Sequence, residues 1–283
     1  SKNKTVFMSQ SSYTKTVLPI IRSVRGLLFP YYGNVVFERK LSGRKFEQIT
    51  ALDREVELHL KTELATRYPD IGFVGEETGG DRNAEHFWLV DPIDGTSHFI
   101  RGLPFCTSQL ALIADGKTVF SAVYDFVNDI LYHAEKGHGA FANDRALSVS
   151  ARPLAGSRLS VVFNLRKDEV YRAYLKLRQH CLTFDVGASG YELALVASGK
   201  LDGAVYFGSA GSKDYDVAPG TLLIKEAGGI VANVGSPARM SEAEIRSGKR
   251  IYDYRNIDFI AANPLVFREL TEGVDAIFPI RSG

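Results

Sequence analysis

Asp91-Pro92-Ile93-Asp94-Gly95-Thr96 places two carboxylates three residues apart in one short, bent stretch. Like charges held together in a turn repel, and burying them without a counter-charge is expensive. A cation between them removes that cost. Short oxygen-rich loops suit hard ions, Mg²⁺ above all when a phosphate supplies further ligands. Metal or phosphate chemistry is the reading set against an ordinary connecting turn, which also favours Asp and Gly. Other acids fall at the ends of predicted elements: Glu76 in Gly75-Glu76-Glu77, Asp53 in Thr50-Ala51-Leu52-Asp53, and Asp216 before Val217-Ala218-Pro219-Gly220. Each also has a plain structural explanation. Gly-Glu-Glu reads as a solvated loop. Thr50 with Asp53 reads as a capping box with Asp in place of Glu. Asp216 reads as an N-cap with Pro in the first turn.

The elements that must position these acids follow from pattern. His86-Phe87-Trp88-Leu89-Val90 is an apolar run, and Pro92 pushes the residue before it out of the helical region, so a strand over 86–91 delivers Asp91. Gly95 then permits a tight turn or a close approach. Val17, Ile20, Ile21, Val24, Leu27 and Leu28 predict a helix over 10–29 that ends at Pro30, and Leu52, Val56, Leu60 and Leu64 a second over 50–68. Strands are expected at 72–75, 107–113, 119–125 and 130–135, with hairpin punctuation through 135–144. Arg152-Pro153-Leu154-Ala155-Gly156 is the candidate boundary between halves. Beyond it, strands at 159–163, 183–186, 204–207, 230–233 and 259–262 alternate with helices at 168–180, 191–198, 216–227 and 264–272. Such alternation implies layered sheets and helices in an α/β arrangement.

Composition removes several function classes. The 283 residues, 45% hydrophobic and 24% charged, read as a soluble globular protein of one large domain or two packed ones. Lys and Arg total 34 against 33 acids, so no global field draws nucleic acid or an anionic membrane. No apolar run approaches the ~20 residues that span a bilayer. Cys106 and Cys181 alone are too few for a disulfide framework and suit a reducing compartment, the cytoplasm by default, as does the lack of a signal-like N-terminus. The six histidines have no zinc register, and neither a P-loop nor an EF-hand loop is present. His98 could touch substrate or be an ordinary neighbour of the turn. Ser209-Ala210-Gly211-Ser212-Lys213 could flank a phosphate or form a surface turn.

Taken together, Ile49–Asp53, Gly75-Glu76-Glu77, Asp91–Thr96, Asp216-Val-Ala-Pro-Gly220 and Glu226-Ala-Gly-Gly229 resemble the inositol monophosphatase family of Mg²⁺-dependent, lithium-sensitive phosphatases. The hairpin Gly137–Asn143 and Leu147–Ser150 also fit. The resemblance implies a layered α-β-α-β-α sandwich. It implies an N-terminal half, 1–155, with most metal ligands, and a C-terminal half, 156–283, with the last aspartate and the substrate contacts. By motif, Glu76, Asp91 and the Ile93 carbonyl are similar to the ligands of one Mg²⁺. Asp91, Asp94 and Asp216 resemble those of a second, and a third, weaker ion would be held partly by Glu76. Asp53 and Thr96 resemble the pair that orients and deprotonates the attacking water. The Gly95 and Thr96 amides would hold phosphate oxygens, and Gly187-Ala188-Ser189 would touch the alcohol portion. The implied function is hydrolysis of a small phosphorylated alcohol, first myo-inositol monophosphate, by in-line attack of a metal-activated water. A homodimer is implied, with neither nucleic acid polymer nor membrane as partner. Tyr215 stands where the family usually has tryptophan, the 207–216 spacing is longer, and Gly190-Tyr191 replaces the usual small apolar pair. These departures leave open fructose 1,6-bisphosphate, histidinol phosphate, a nucleotide 3′-phosphate or NADP as substrate, and a catalytically silent binding homologue.

Overall fold

Two amphipathic helices are the first helices of the described chain, α1 (Ser12–Leu28) and α2 (Ala51–Arg67). The computed structural model describes residues 12–42, 45–208, 213–233, 258–272 and 276–278. Val17, Ile21, Val24 and Leu28 of α1 and Val56, Leu60 and Leu64 of α2 are each 0% exposed, as the helical spacing requires. Both helices bury these stripes against one face of a seven-stranded sheet. Its strands are β3 (Gly72–Gly75), β4 (His86–Asp94), β5 (Thr107–Ala114), β6 (Lys117–Asp125), β7 (Ile130–Glu135), β8 (Ala140–Ala142) and β9 (Arg145–Ala146), hydrogen-bonded in chain order. Only β3 and β4 run parallel within that sheet.

Strand periodicity sorts the side chains. Trp88 and Val90 of β4 and Leu110 and Leu112 of β5 join the α1/α2 core, while Phe87, Leu89, Ala111 and Ile113 face the other way, onto Tyr215 and Ala218. That second face is covered by α5 (Ser189–Ala197) and α6 (Asp214–Glu226). The same two helices also pack on a five-stranded sheet. It runs in the order β11 (Leu182–Phe184), β10 (Arg158–Phe163), β12 (Gly203–Phe207), β14 (Phe259–Ala262), β13 (Ile230–Asn233). Here Ala204, Tyr206 and Ala261 look inward, whereas Val205, Ile260 and Ala262 look outward to α4 (Asp168–Arg178) and α7 (Pro264–Thr271). The layers are therefore α-β-α-β-α, as expected. No helix of the described residues is long and apolar enough to cross a membrane.

The differences from the pattern-based expectation are local. Residues 37–42 and 45–50 form a separate antiparallel pair, β1 and β2, which the hydrophobic pattern does not announce. Helix α1 passes into a 3₁₀ turn at Phe29–Tyr31 instead of stopping at Pro30, because Pro is tolerated in a first turn. Helices α5 and α6 each begin two residues earlier than predicted, and β4 runs three residues further, through Pro92. At the candidate boundary, Arg152 Nε donates to Asp202 at 2.7 Å, and Asn263 donates to the Arg152 carbonyl at 3.0 Å. Ser209–Ser212 lie outside the described residues.

Trp88 is the largest side chain of the α1/α2 core, 1% exposed and ringed by Tyr13, Tyr68 and Phe120. Trp88→Ala should cost about 3–5 kcal/mol in urea unfolding. Trp88→Phe should cost much less, because it also removes an indole N–H that has no partner among the described residues. Equal losses for the two variants would contradict this packing.

Candidate metal centre

Residues three apart on a regular strand point to opposite faces, so Asp91 and Asp94 should not meet. A β-bulge brings them together. Asp91 pairs with Gln109 and Asp94 with Thr107, so β4 spends one more residue than β5 across this interval. Pro92, which has no N–H to offer the ladder, sits within the bulge. Both carboxylates then lie on the face that carries Phe87 and Leu89, toward the start of α6. Asp216 meets them there: one carboxylate oxygen from each of Asp91, Asp94 and Asp216 lies within 4.8 Å of the others. Asp91 is 1% exposed and Asp94 7%, while Asp216 is partly exposed.

Each acid is held by donors from a different element. Asp94 accepts from the Gly190 and Ser189 amides at 2.8 and 3.2 Å, the first turn of α5, and from Thr107 Oγ1 at 3.4 Å. Asp216 is the third residue of α6, not its N-cap, and its Oδ2 accepts from the Lys213 amide at 2.8 Å. Arg82 clamps the start of the same helix through Asp214, at 2.6 and 3.1 Å. Glu76 accepts from the Tyr215 hydroxyl at 3.2 Å and lies 3.5 Å from the Lys213 ammonium. Tyr215 thus holds Glu76 directly. Asp91 accepts from Gln109 Nε2 at 3.3 Å through Oδ2, while its Oδ1 is buried with no partner among the described residues.

The remaining predicted residues surround this cluster. Asp53 forms the capping box in full: its Oδ2 accepts from the Thr50 amide and hydroxyl at 2.6 and 2.7 Å, and its own amide donates to Thr50 Oγ1 at 3.2 Å. Thr96 opens the short helix α3 (Thr96–Arg101) and donates to the Ile93 carbonyl at 2.9 Å. Asp53 and Thr96 are therefore each hydrogen-bonded to a neighbour three residues away. Gly95 has φ +80°, and a Cβ there would stand 2.5 Å from the Phe105 carbonyl, so only glycine fits. Gly187 and Ala188 lead into α5, and Ser189 spends its amide on Asp94. His98 bonds the Val186 carbonyl at 2.5 Å and bridges α3 to that segment. Buried Glu192 braces the same segment, accepting from the Val186 and Gly187 amides at 2.7 and 3.2 Å. Pattern reading misses Gln109, Glu192 and Glu57, which accepts from the Glu77 and Thr78 amides at 2.9 Å each behind Glu76. Their partners are brought by tertiary pairing, and no local motif marks them.

Burial dominates the electrostatics. It pushes Asp91 well above the usual carboxylate range, with repulsion from Glu76, Asp94 and Asp216 adding to it. Asp216 is raised in the same way, by burial and then by Asp94 and Glu76. Burial lifts Asp94 to about 7 despite the Gly190 amide. Burial likewise lifts Asp53 to about 7, opposed by Thr50 and helped by Glu76 and Glu77. A cleft with four mutually repelling carboxylates, one of them with an orphaned oxygen, fits hard divalent ions. Asp91, Asp94, Asp216 and Glu76 supply the all-oxygen donor set that Mg²⁺ takes.

The chain matches the inositol monophosphatase family over residues 10–275. It is 33% identical over 218 residues to the Nus factor SuhB of Xylella fastidiosa, covering 75% of this chain and 78% of that one. It is 34% identical over 233 residues to inositol monophosphatase 2 of Saccharomyces cerevisiae, covering 75% and 76%. Among solved structures, a Thermotoga maritima IMPase superposes with a TM-score of 0.77 at 25% identity, covering 92% of this chain and 95% of that one.

Asp94 and Asp53 keep protons in the folded state up to about pH 7, against 3.8 for an unperturbed aspartate. Between those limits the folded protein binds more protons than the unfolded chain, so stability falls as pH rises and the loss is complete above the folded pKa. In chelator, Tm should therefore drop from pH 5 to pH 8, and Mg²⁺ added at pH 8 should restore it. Thermal unfolding with EDTA and then with Mg²⁺ checks both; a Tm that climbs toward pH 8 in EDTA would refute the assignment.

Proposed function

We propose a phosphomonoesterase on a plain premise: this chain belongs to the inositol monophosphatase family. The observation that carries the reading is the convergence of Asp91, Asp94 and Asp216 within 4.8 Å, from strand β4 and helix α6, around an Asp91 oxygen left unpartnered among the described residues. In this reading Glu76, Asp91 and the Ile93 carbonyl hold one ion, and Asp91, Asp94 and Asp216 another, with a third weaker ion near Glu76. Two to three Mg²⁺ ions bound there would supply an activated water and charge to stabilise the departing alkoxide.

The chain's own residues do the positioning. Asp53, with a pKa lifted to about 7, is matched to take a proton near neutral pH. Its Thr50 bonds both use Oδ2 and leave Oδ1 for that task. Thr96 donates to Ile93 and so still offers its hydroxyl oxygen as an acceptor to a water. Gly95 and Thr96, at the start of α3, would present their amides to phosphate oxygens. Gly187, Ala188 and Ser189 would touch the alcohol portion, a reading supported by their place at the start of α5, whose Ser189 and Gly190 amides bind Asp94. No side-chain nucleophile is called for: Cys106 and Cys181 are both buried, with thiols pushed up by burial.

The substrate is a small phosphorylated alcohol, with myo-inositol monophosphate the first to test. The test is phosphate release with and without Mg²⁺ from that ester, fructose 1,6-bisphosphate, histidinol phosphate, a nucleotide 3′-phosphate and NADP, with lithium as a further arm. At least one should turn over only with Mg²⁺ and be inhibited by lithium. Asp94→Asn should lower kcat on the order of 10²–10³-fold with the fold retained. Release from none of them would sink the reading. It would favour instead a binding role, a second reading motivated by relatives named Nus factors. Family membership and the two unpaired cysteines also support a cytoplasmic homodimer; sedimentation that finds monomer alone would reject the dimer.

A further inference from the structure

We propose that Gln109 is a positioning residue for the metal carboxylates, and that Gly190 is glycine in order to seat it. The inference deepens the proposed function and rests on it. Gln109 lies on β5 directly opposite Asp91 and is 0% exposed. Its single carboxamide reaches two elements. Nε2 donates to Asp91 Oδ2 at 3.3 Å and to the Asp216 main-chain carbonyl at 3.4 Å. One amide thus links the bulged end of β4 to the first turn of α6, the two elements that must converge for Asp91 and Asp216 to share an ion.

The orientation of the amide is forced. Turned the other way, its oxygen would face the Asp216 main-chain carbonyl, two acceptors with no proton between them. As placed, Oε1 points toward Gly190 and has no partner among the described residues. A Cβ on Gly190 would stand 2.4 Å from Oε1 and 2.7 Å from Cδ of Gln109. Gly190 is not among the glycines with positive φ, so backbone conformation does not demand glycine there. Space for Gln109 does. The Gly190 amide meanwhile donates to Asp94 at 2.8 Å, so the residue that seats Gln109 also caps the third carboxylate.

The consequence is a choice between the oxygens of Asp91. Gln109 occupies Oδ2, and Oδ1 is the one left unpartnered. Gln109 therefore presents Oδ1 to the ion. For stability alone the amide gives little: its two long donated bonds are set against an orphaned, buried oxygen that an apolar side chain of similar length would remove. Function and stability thus make different demands at this position.

That difference provides the test. Gln109→Met should leave Tm in EDTA nearly unchanged while the Mg²⁺ concentration for half-maximal activity rises about tenfold, the worth of a hydrogen bond to a charged group. Gln109→Glu puts a carboxylate against Asp91 and should raise it more. Gly190→Ala, which collides with Gln109, should shift the Mg²⁺ requirement in the same direction. Gly190→Ala combined with Gln109→Met should fall short of the product of the single effects, because both break one contact. Calorimetric titration of Mg²⁺ into the metal-free protein gives a readout independent of turnover. If wild type binds Mg²⁺ and turns over, yet Gln109→Met and Gly190→Ala stay within about twofold of it, or fall only in parallel with Tm in EDTA, this inference fails alone. If wild type neither binds Mg²⁺ nor turns over, both readings fail together.

Discussion

Mutual repulsion among buried carboxylates is the constraint to which the rest of this structure answers. Asp91, Asp94 and Asp216 approach within 4.8 Å, with Glu76 near enough to raise both Asp91 and Asp216. Left alone, such a group would protonate, flood with water or spring apart. It is held by donors aimed from outside: α5 amides on Asp94, the Lys213 amide on Asp216, the Tyr215 hydroxyl on Glu76 and the Gln109 amide on Asp91. Neutral dipoles partly offset the repulsion without filling the cleft with positive charge, so an ion retains a large electrostatic reason to enter. Lys213, 3.5 Å from Glu76, is the cationic exception at the rim.

The layered architecture serves this convergence. The seven-stranded sheet delivers Asp91 and Asp94 at the end of one strand, and α6, sandwiched between the sheets, delivers Asp216. Helix α5, packed beside α6, turns its N-terminus on Asp94. The Arg82–Asp214 pair ties α6 to the loop after Glu76, and Glu226 at the far end of α6 accepts from the Gly137 and Gly139 amides at 2.9 Å each. Helix α6 is thereby fastened at both ends to the sheet that bears the other two aspartates. A shift of α6 along its axis would separate Asp216 from them, which is why its polar anchors matter more than their share of the packing energy.

How much of this was legible beforehand depends on the range of the interaction. Amphipathic periods gave α1 and α2, and alternation gave most strands, because those patterns are written by local burial. Asp91 and Asp94 stand out because Pro92 and Gly95 flank charges whose burial needs an explanation, whereas Glu76 and Asp216, each explicable as loop or cap, are marked only by the family resemblance. The bulge did not stand out: nothing in Asp91–Asp94 says that β5 will spend one residue fewer across the same interval. Gln109 was invisible for the same reason, since it acquires its meaning only from lying opposite Asp91. The Asp53 capping box was legible as a cap, and the structure makes the cap and the candidate base the same carboxylate.

Asp53 also indicates why plain structural explanations and functional ones need not compete. A capping carboxylate is normally exposed and ionised. This one is 2% exposed and lifted to about 7, so the cap is weaker than it would be at a helix end in water. The helix accepts that loss because α2 is secured by Val56, Leu60 and Leu64 in the core. With packing holding the helix, its first turn is free to carry a carboxylate whose pKa suits proton transfer. The same logic covers Gly95, Gly190 and the bulge: each weakens regular structure locally, beside a core strong enough to tolerate it, at a point where the acids must be aimed.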